Sequence, residues 1–169
     1  MPFQILDWQT AKQNEDKFDY SISVGDLNGR QEGYTVKGKI DTLELNFNDI
    51  WIIDGKRYIW AGDQPHQLPE GNDQPLPSRD VLETVDAFIK KNPDFAEKNS
   101  VIHCWAGVSR STAIALYIIM RNFNHTPEEA MNIIKSVRPI ARPNLNLADH
   151  MGYGVRRYLE STVDYSKIY

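Results

Sequence analysis

The sequence predicts an α/β fold, because segments with the alternation of a β-strand and segments with the periodicity of a helix follow one another along the chain. The 169 residues include 41% hydrophobic and 25% charged residues, an ordinary balance for a globular protein that buries one core. The chain has no internal repeat and no low-complexity segment. We therefore expect a single domain over residues 1–169.

The N-terminal third has the pattern of short strands. Polar and apolar residues alternate from Tyr20 to Val24, which is followed by Gly25-Asp26. From Thr42 to Phe47 the apolar side chains fall on one face, as in a half-buried strand. Both segments are therefore predicted strands.

Residues 50–77 are predicted to form an insertion. Ile50 to Trp60 contains two β-rich runs around Asp54-Gly55, a dipeptide typical of hairpin turns. Gly62 to Pro77 is rich in Pro, Gly, Asn, Asp and Gln and has no periodicity. We therefore expect a β-hairpin followed by a long surface loop.

The rest of the chain is mostly helical in pattern. A strand is predicted at Ser100 to Cys104, between a helix from Ser78 to Pro93 and a second helix from Arg110 to Phe123. The second helix is apolar on nearly every face and is expected at the centre of the core. Two more helices are predicted, from a capping box at Thr126 to about Val137 and from Asn146 to Leu159.

The charge distribution argues against nucleic acids and membranes as ligands. The net charge is -4, and no basic block interrupts the mixture of acids and bases. The longest apolar run, Ala113 to Met120, is far shorter than the roughly 18 to 20 residues that span a bilayer. With one cysteine, four scattered histidines and no evident secretory leader, we expect a soluble cytoplasmic protein without a metal or other cofactor.

The single cysteine lies in VIHCWAGVSRS, residues 101–111, where a predicted strand meets a predicted helix. The first N–H groups of a helix lack partners within the helix and attract anions. Gly107 lets the loop turn its amides inward, and the planar fork of Arg110 can hold two oxygens of a phosphate. The sequence predicts a site for a tetrahedral dianion above Cys104, formed by Trp105, Ala106, Gly107, Val108, Ser109 and Arg110.

The same electrostatic field favours the ionised form of the Cys104 thiol, since thiols at helix N-termini beside a cation are commonly ionised at neutral pH. Cys104 is therefore a predicted nucleophile. The alternative is a buried, inert cysteine at the end of a strand, which is the commoner place for a lone cysteine. The joint presence of His103, Gly107, Arg110 and Ser111 favours the catalytic interpretation.

The segment HCWAGVSRS resembles the His-Cys-x5-Arg-Ser/Thr signature of the cysteine-dependent protein tyrosine phosphatase superfamily, in particular its compact dual-specificity-phosphatase-like branch. Downstream, RPIARPN at residues 138–144 is similar to the Arg-Pro-x-x-x-Pro-Asn segment of that branch, and LNFNDI at residues 45–50 resembles small bacterial-type phosphatase-like proteins. The resemblance implies a mostly parallel, twisted sheet flanked by helices in one catalytic domain.

The resemblance also implies hydrolysis of phosphate monoesters in two steps without a metal. Cys104 attacks phosphorus to form a cysteinyl-phosphate that water then hydrolyses, while Arg110 and the loop amides stabilise the equatorial oxygens. Ser111 would ease the departure of the sulfur, or is an ordinary serine at a helix N-terminus. His103 is expected to order the loop rather than to carry protons.

The resemblance calls for a general acid, an aspartate on a loop between the preceding strand and the helix before the signature strand. Asp49 fits by context, because it directly follows the predicted strand that ends at Phe47, and it is the favoured candidate. Asp73 fits by its spacing before Cys104, and Asp63 is the third candidate. Each of the three can also be a solvated turn aspartate.

The expected substrate is a phosphorylated protein, with phosphotyrosine first, because the variable loop positions carry no lysine of the kind that phosphoinositide phosphatases have. Candidates for lining an aryl pocket are Trp105, Trp51, Tyr58 and Trp60, and the alternative for these aromatics is the hairpin core. The alternative functions are a pseudophosphatase that binds phosphoproteins, a sulfurtransferase and an arsenate reductase. The lack of a second cysteine and the Arg110-Ser111 pair argue against the last two. The oligomeric state is left open.

Overall fold

The computed structural model describes residues 3–27, 30–61 and 64–165. Its strands are β1 (Phe3–Asp7), β2 (Tyr20–Gly25), β3 (Asp41–Asn46), β4 (Ile50–Ile53), β5 (Lys56–Ala61), β6 (Gln64–Gln67) and β7 (Ser100–Cys104). Four of them form a parallel sheet in the order β1-β7-β2-β3. The predicted α/β architecture with a parallel sheet is thereby confirmed.

Six α-helices accompany the strands in the described part of the chain: α1 (Trp8–Gln13), α2 (Arg79–Lys91), α3 (Arg110–Tyr117), α4 (Pro127–Val137), α5 (Leu145–Ala148) and α6 (Val155–Thr162). The predicted capping box starts α4, because the Thr126 side chain accepts from the Glu129 N–H and the Glu129 carboxylate accepts from the Thr126 N–H. None of these helices is both long enough and apolar enough to cross a membrane.

The core lies on both faces of the sheet. All residues of α3 are buried, as predicted for the central helix, and α3 packs with α2, α4 and α6 into the larger apolar cluster. A smaller cluster of Ala11, Phe18, Val36 and Val101 lies under α1. Since Val101 and Ile102 point to opposite faces of β7, the two clusters cover opposite faces of the sheet.

The insertion carries a second, antiparallel sheet in the order β4-β5-β6. Its predicted hairpin turn is present, with Asp54 and Gly55 at φ of 50° and 76°, the positive values that such a two-residue turn requires. The prediction of a structureless loop over Gly62 to Pro77 was wrong in part, because Gln64–Gln67 pairs with β5 as β6. The edge of β5 that faces away from β4 has backbone N–H and C=O groups that can pair with a neighbouring segment whatever the side-chain pattern of that segment.

Two other predictions of secondary structure were wrong. Trp8–Gln13 is a helix rather than part of a strand region, because the Asp7 carboxylate caps it by accepting from the Thr10 N–H at 2.8 Å. The predicted helix from Asn146 to Leu159 is divided into α5 and α6. Gly152 and Gly154 lie between them at φ of 125° and 82°, which no helix accommodates. The predicted helix from Arg110 to Phe123 is present, since α3 continues directly into a π-helical turn, Ile118–Asn122.

The parallel strands bring their carboxyl ends to one edge of the sheet. In the register of the strands, Asp7 lies beside Cys104, Ser23 beside His103 and Gly25 beside Asn46. The loops that follow β2, β3 and β7 therefore meet at this edge, where open α/β sheets bind their ligands.

Candidate active site

The loop between β7 and α3, Cys104 to Arg110, is called here the cysteine loop. Gly107 has a φ of +67°, and a Cβ atom at this position would lie 2.7 Å from the backbone nitrogen of Asp7 and the carbonyl carbon of Leu6. A glycine is therefore needed both for the backbone conformation and for the close approach to the end of β1.

The carbonyl groups of the cysteine loop are bonded on its outer side. The Trp8 N–H donates to the Trp105 carbonyl at 3.0 Å. The Arg138 guanidinium donates from Nη2 to the Ala106 carbonyl at 2.9 Å and from Nε to the Gly107 carbonyl at 3.0 Å. The planar fork of one arginine thus holds two successive peptide units.

Residues 138–144 complete this outer support. The Arg142 N–H donates to the Val108 carbonyl at 2.8 Å, and the Asn144 N–H donates to the Ser109 carbonyl at 3.2 Å. In a peptide unit the C=O and the next N–H point in opposite directions. The amides of residues 106–110 therefore turn into the loop, and no described residue accepts a hydrogen bond from them. The result is a bowl of backbone donors, suited to an anion.

Cys104 lies at the floor of this bowl and is 3% exposed. Its Sγ atom is 3.2 Å from the Oγ atom of Ser111, the second residue of α3. Any group that reacts with the sulfur must therefore enter through the bowl, while Ser111 contacts the sulfur from the helix.

His103 links the floor of the bowl to β2. Burial lowers the pKa of His103 to about 4, so its ring is neutral near pH 7. The ring lies 3.1 Å from the Cys104 carbonyl through Nδ1 and 2.6 Å from the Ser23 hydroxyl through Nε2. Since a carbonyl only accepts, Nδ1 carries the proton and Nε2 accepts from Ser23.

Arg110 is 6% exposed, and its guanidinium is anchored through one nitrogen. Nη1 donates to the Asp26 carboxylate at 2.7 Å and to the Phe47 carbonyl at 2.9 Å. No described residue accepts from Nε or Nη2, which form the fork that binds two oxygens. Burial by itself would lower the pKa of Arg110, but the negative groups of the site outweigh burial and raise it. The side chain therefore stays charged.

Asp49 follows β3 and is 5% exposed. Its Oδ1 atom accepts from the Ser109 hydroxyl at 2.6 Å and from the Asn144 amide at 2.7 Å. Burial raises the pKa of this carboxyl above its usual range, although the charge of Arg110, the two hydrogen bonds and the indole of Trp51 oppose the shift. Since Oδ1 accepts both bonds, a proton on Asp49 lies on Oδ2.

A cleft of about 420 Å³ opens above the cysteine loop. Cys104 and the loop form its floor, and its walls include Asp26, Asp49 and Ile59. Asp73 is exposed and does not line the cleft. Asp63 lies outside the described residues. Of the two candidates that the structure describes, Asp49 lines the cleft together with Cys104.

The aromatic residues of the insertion do not share one location. Trp51 is buried and packs against Tyr165, and Tyr58 packs against the core from its edge, so the interpretation as hairpin core describes both. The side chain of Trp60 lies outside the described part of the chain. Trp105 lines the cleft and is 51% exposed.

The family of the chain follows from its match to a family model. Residues 10–153 match the model of the dual specificity phosphatase catalytic domain. The chain belongs to the dual specificity phosphatase family. It is thus a member of the protein tyrosine phosphatase superfamily, and the family is classed among the phosphoric monoester hydrolases.

Individual relatives match this phosphatase domain over about half of its length. The chain is 33% identical over 90 residues to human dual specificity protein phosphatase 16, covering 49% of this chain and 14% of that protein. It is 34% identical over 84 residues to a putative tyrosine phosphatase, 123R, of invertebrate iridescent virus 6, covering 50% of this chain and 58% of that protein. The chain therefore spans less than two thirds of the length of either relative.

The fold comparison covers nearly the whole phosphatase domain. The crystal structure of human DUSP28 matches with a TM-score of 0.57 over 95% of this chain and 94% of that chain, at 14% sequence identity. At this identity the likeness concerns the fold, which is a parallel sheet flanked by helices.

The predictions from sequence assigned no role to Asp26 and named residues 138–144 only as a segment that resembles the family. Asp26, whose side chain is 67% exposed, contacts Arg110, and residues 138–144 hold the loop carbonyls. The position of Asp26 directly after β2 was a usable signal, since the ends of neighbouring parallel strands meet at one edge. Among the described residues, no group of three His, Cys, Asp or Glu side chains is placed to hold a metal ion.

Proposed function

We propose that this phosphatase domain hydrolyses phosphorylated proteins, phosphotyrosine foremost, through a cysteinyl-phosphate at Cys104. The observation that carries the proposal is the bowl of inward amides above the sulfur, with the unused fork of Arg110 at its rim. A tetrahedral dianion fills such a bowl with its phosphorus atom above Sγ.

In the first step, the Cys104 thiolate attacks phosphorus as the bond between phosphorus and the ester oxygen breaks. The leaving oxygen takes the proton from Oδ2 of Asp49, whose raised pKa favours the protonated form that this role requires. Arg110 and the amides of residues 106–110 bind the equatorial oxygens, whose charge must be stabilised during transfer.

In the second step, water attacks phosphorus and the bond between sulfur and phosphorus breaks. The Asp49 carboxylate takes a proton from the water, and the product is inorganic phosphate. The thiolate that leaves is stabilised by the Ser111 hydroxyl, which lies 3.2 Å from the sulfur. This contact supports the catalytic interpretation of Ser111 over that of an ordinary helix serine.

The depth of the site supports phosphotyrosine as the first choice. Cys104 is 3% exposed at the floor of the 420 Å³ cleft, so the phosphate must reach well below the surface. An aryl ring carries its phosphate farther from the peptide backbone than a serine or threonine side chain does. We infer a reducing compartment, since the catalytic thiol has no second cysteine for a protective disulfide. The likeness to small bacterial-type phosphatases stays a prediction.

The test is the hydrolysis of an aryl phosphate in the presence of a metal chelator. Activity that vanadate blocks and that Cys104→Ser abolishes supports the proposal. The variant must still bind a phosphotyrosine peptide, which shows that its fold is intact. Phosphotyrosine, phosphoserine and phosphothreonine peptides of one sequence then rank the substrates. Tight binding of phosphopeptides by the unmodified protein without release of phosphate would indicate a pseudophosphatase and contradict the proposal.

A further inference from the structure

A second, smaller cavity of about 200 Å³ adjoins the catalytic cleft and is called here the side cavity. It shares Asp26, Trp105 and Arg110 with the cleft and adds Gly25, Arg30, Gln31 and Tyr34. Its volume is below that of a site for a drug-sized ligand and suits a single side chain. A peptide with its phosphate above Cys104 has its neighbouring residues within reach of this cavity.

One wall of the side cavity is the indole of Trp105. This ring stacks on Trp8, with ring centroids 5.5 Å apart and planes 11° apart, and the Trp105 carbonyl accepts from the Trp8 N–H. Trp105 is nevertheless 51% exposed. A large aromatic side chain that is held in place by packing and still faces solvent is typical of a binding surface.

A second wall of the side cavity is Arg30, which is charged but has no free hydrogen-bond donor for a ligand. Its guanidinium makes five hydrogen bonds within the protein, at 3.0 to 3.2 Å, and arginine has five N–H groups. Its Cζ atom lies 5.2 Å from the centroid of the Tyr34 ring. Gly25 leaves room for this arrangement, because a Cβ atom there would lie 3.2 Å from Cζ of Arg30.

These walls select by charge and by shape. Arg30 repels a lysine or arginine side chain. Asp26 and Arg110 compensate one another as an ion pair, with Nη1 of Arg110 2.7 Å from Oδ1 of Asp26, and an acidic side chain would find no free N–H on Arg30. A neutral aromatic ring is attracted by the indole face and by the guanidinium plane alike.

We propose that the side cavity is a subsite for an aromatic side chain that neighbours the phosphorylated residue of the substrate. This inference rests on the proposed function, since it places the phosphate of the same peptide in the bowl above Cys104. The occupant is recognised by stacking and cation–π contact rather than by hydrogen bonds.

The test uses phosphotyrosine peptides that differ at one position. Phe, Leu, Lys or Glu is placed in turn at the position before the phosphotyrosine and at the position after it. Binding to Cys104→Ser is measured by calorimetry, and kcat/KM is measured with the unmodified protein. We expect Phe to be preferred over Lys and Glu by about tenfold at one position. Equal binding of the four peptides at every position, or a preference for Lys or Glu, would overturn the proposal.

A variant that fills the side cavity separates this subsite from the cleft. Gln31 lines only the side cavity and is exposed, so Gln31→Trp fills the space without replacing any residue of the cysteine loop. The matched control is Glu32→Trp, at an exposed neighbour that lines neither space. The preference for Phe is expected to disappear in Gln31→Trp and to persist in Glu32→Trp, while both variants hydrolyse a small aryl phosphate normally. Persistence of the preference in Gln31→Trp refutes the subsite.

The two proposals fail in different ways. Absence of turnover together with a Phe preference in binding to Cys104→Ser contradicts the phosphatase activity and supports the subsite. Normal turnover of a small aryl phosphate without any preference among the peptides supports the activity and contradicts the subsite.

Discussion

The replacement Asp49→Asn is expected to separate catalysis from stability. In the variant, the side-chain oxygen of asparagine can accept the same two hydrogen bonds, from Ser109 and Asn144, that Oδ1 of Asp49 accepts at 2.6 and 2.7 Å. The acidic proton on the other oxygen is lost. Turnover of aryl phosphates with poor leaving groups should fall by about 10² to 10⁴, the usual contribution of a general acid. Phosphates with good leaving groups need little protonation and should lose much less.

The same replacement that lowers turnover is expected to raise the free energy of unfolding. Because burial raises the pKa of Asp49, the folded protein holds this proton to a higher pH than the unfolded chain does. The stabilising effect of that proton is complete below the unfolded pKa near 3.8 and is lost as pH rises through the raised value. Each pKa unit of the shift costs about 1.4 kcal/mol above that range. The neutral amide of the Asp49→Asn variant has no such cost, so the variant should gain stability relative to the unmodified protein as pH rises.

The measurements are steady-state kinetics over a series of aryl phosphates and urea denaturation between pH 4 and pH 8. The matched control is Asp73→Asn, at an exposed aspartate away from the cleft, which should change neither quantity. Equal and small effects of the two variants on turnover would refute the assignment of Asp49. A stability difference between Asp49→Asn and the unmodified protein that is constant over this pH range would refute the argument from burial.

Three other predictions concern the support of the cysteine loop. As pH falls from about 6.5 to about 4, the protein should lose up to roughly 3 kcal/mol of stability, because the imidazole of His103 takes up a proton in the unfolded chain and stays neutral in the folded protein. In urea denaturation, His103→Gln should lack this pH-dependent loss. Gly107→Ala should weaken vanadate binding in calorimetry and should lower the thermal stability by more than Gly33→Ala does. Gly33 has a similar φ of +78° but open space around it, so equal losses in the two variants would contradict the predicted collision with β1. Arg138→Lys should weaken vanadate binding in calorimetry by about tenfold or more, because an ammonium group cannot bind two carbonyls in the fork geometry of a guanidinium. An unchanged affinity would contradict the role of Arg138 in supporting the cysteine loop.

Much of the fold was predictable because its signals are local. The alternation of Tyr20 to Val24, the Asp54-Gly55 turn and the capping box at Thr126 each depend on residues a few positions apart, and each element is present. The predictions failed where non-local pairing or a short cap decided the structure. β6 depends on the free edge of β5, and α1 depends on a single capping carboxylate at Asp7.

The sequence by itself determined the centre of the phosphatase site. Cys104, Gly107 and Arg110 follow one strand and open one helix, so their arrangement is set by a stretch of chain shorter than ten residues. Only the tertiary structure decided which carboxylates join them. Asp26 contacts Arg110, and Asp49 contacts Ser109 and Asn144, because a parallel sheet aligns the ends of strands that are distant in sequence. In the sequence, context favoured Asp49 over Asp73, whose support was its spacing before Cys104. Only the folded chain buries Asp49 and leaves Asp73 exposed, because burial depends on contacts between residues distant in sequence.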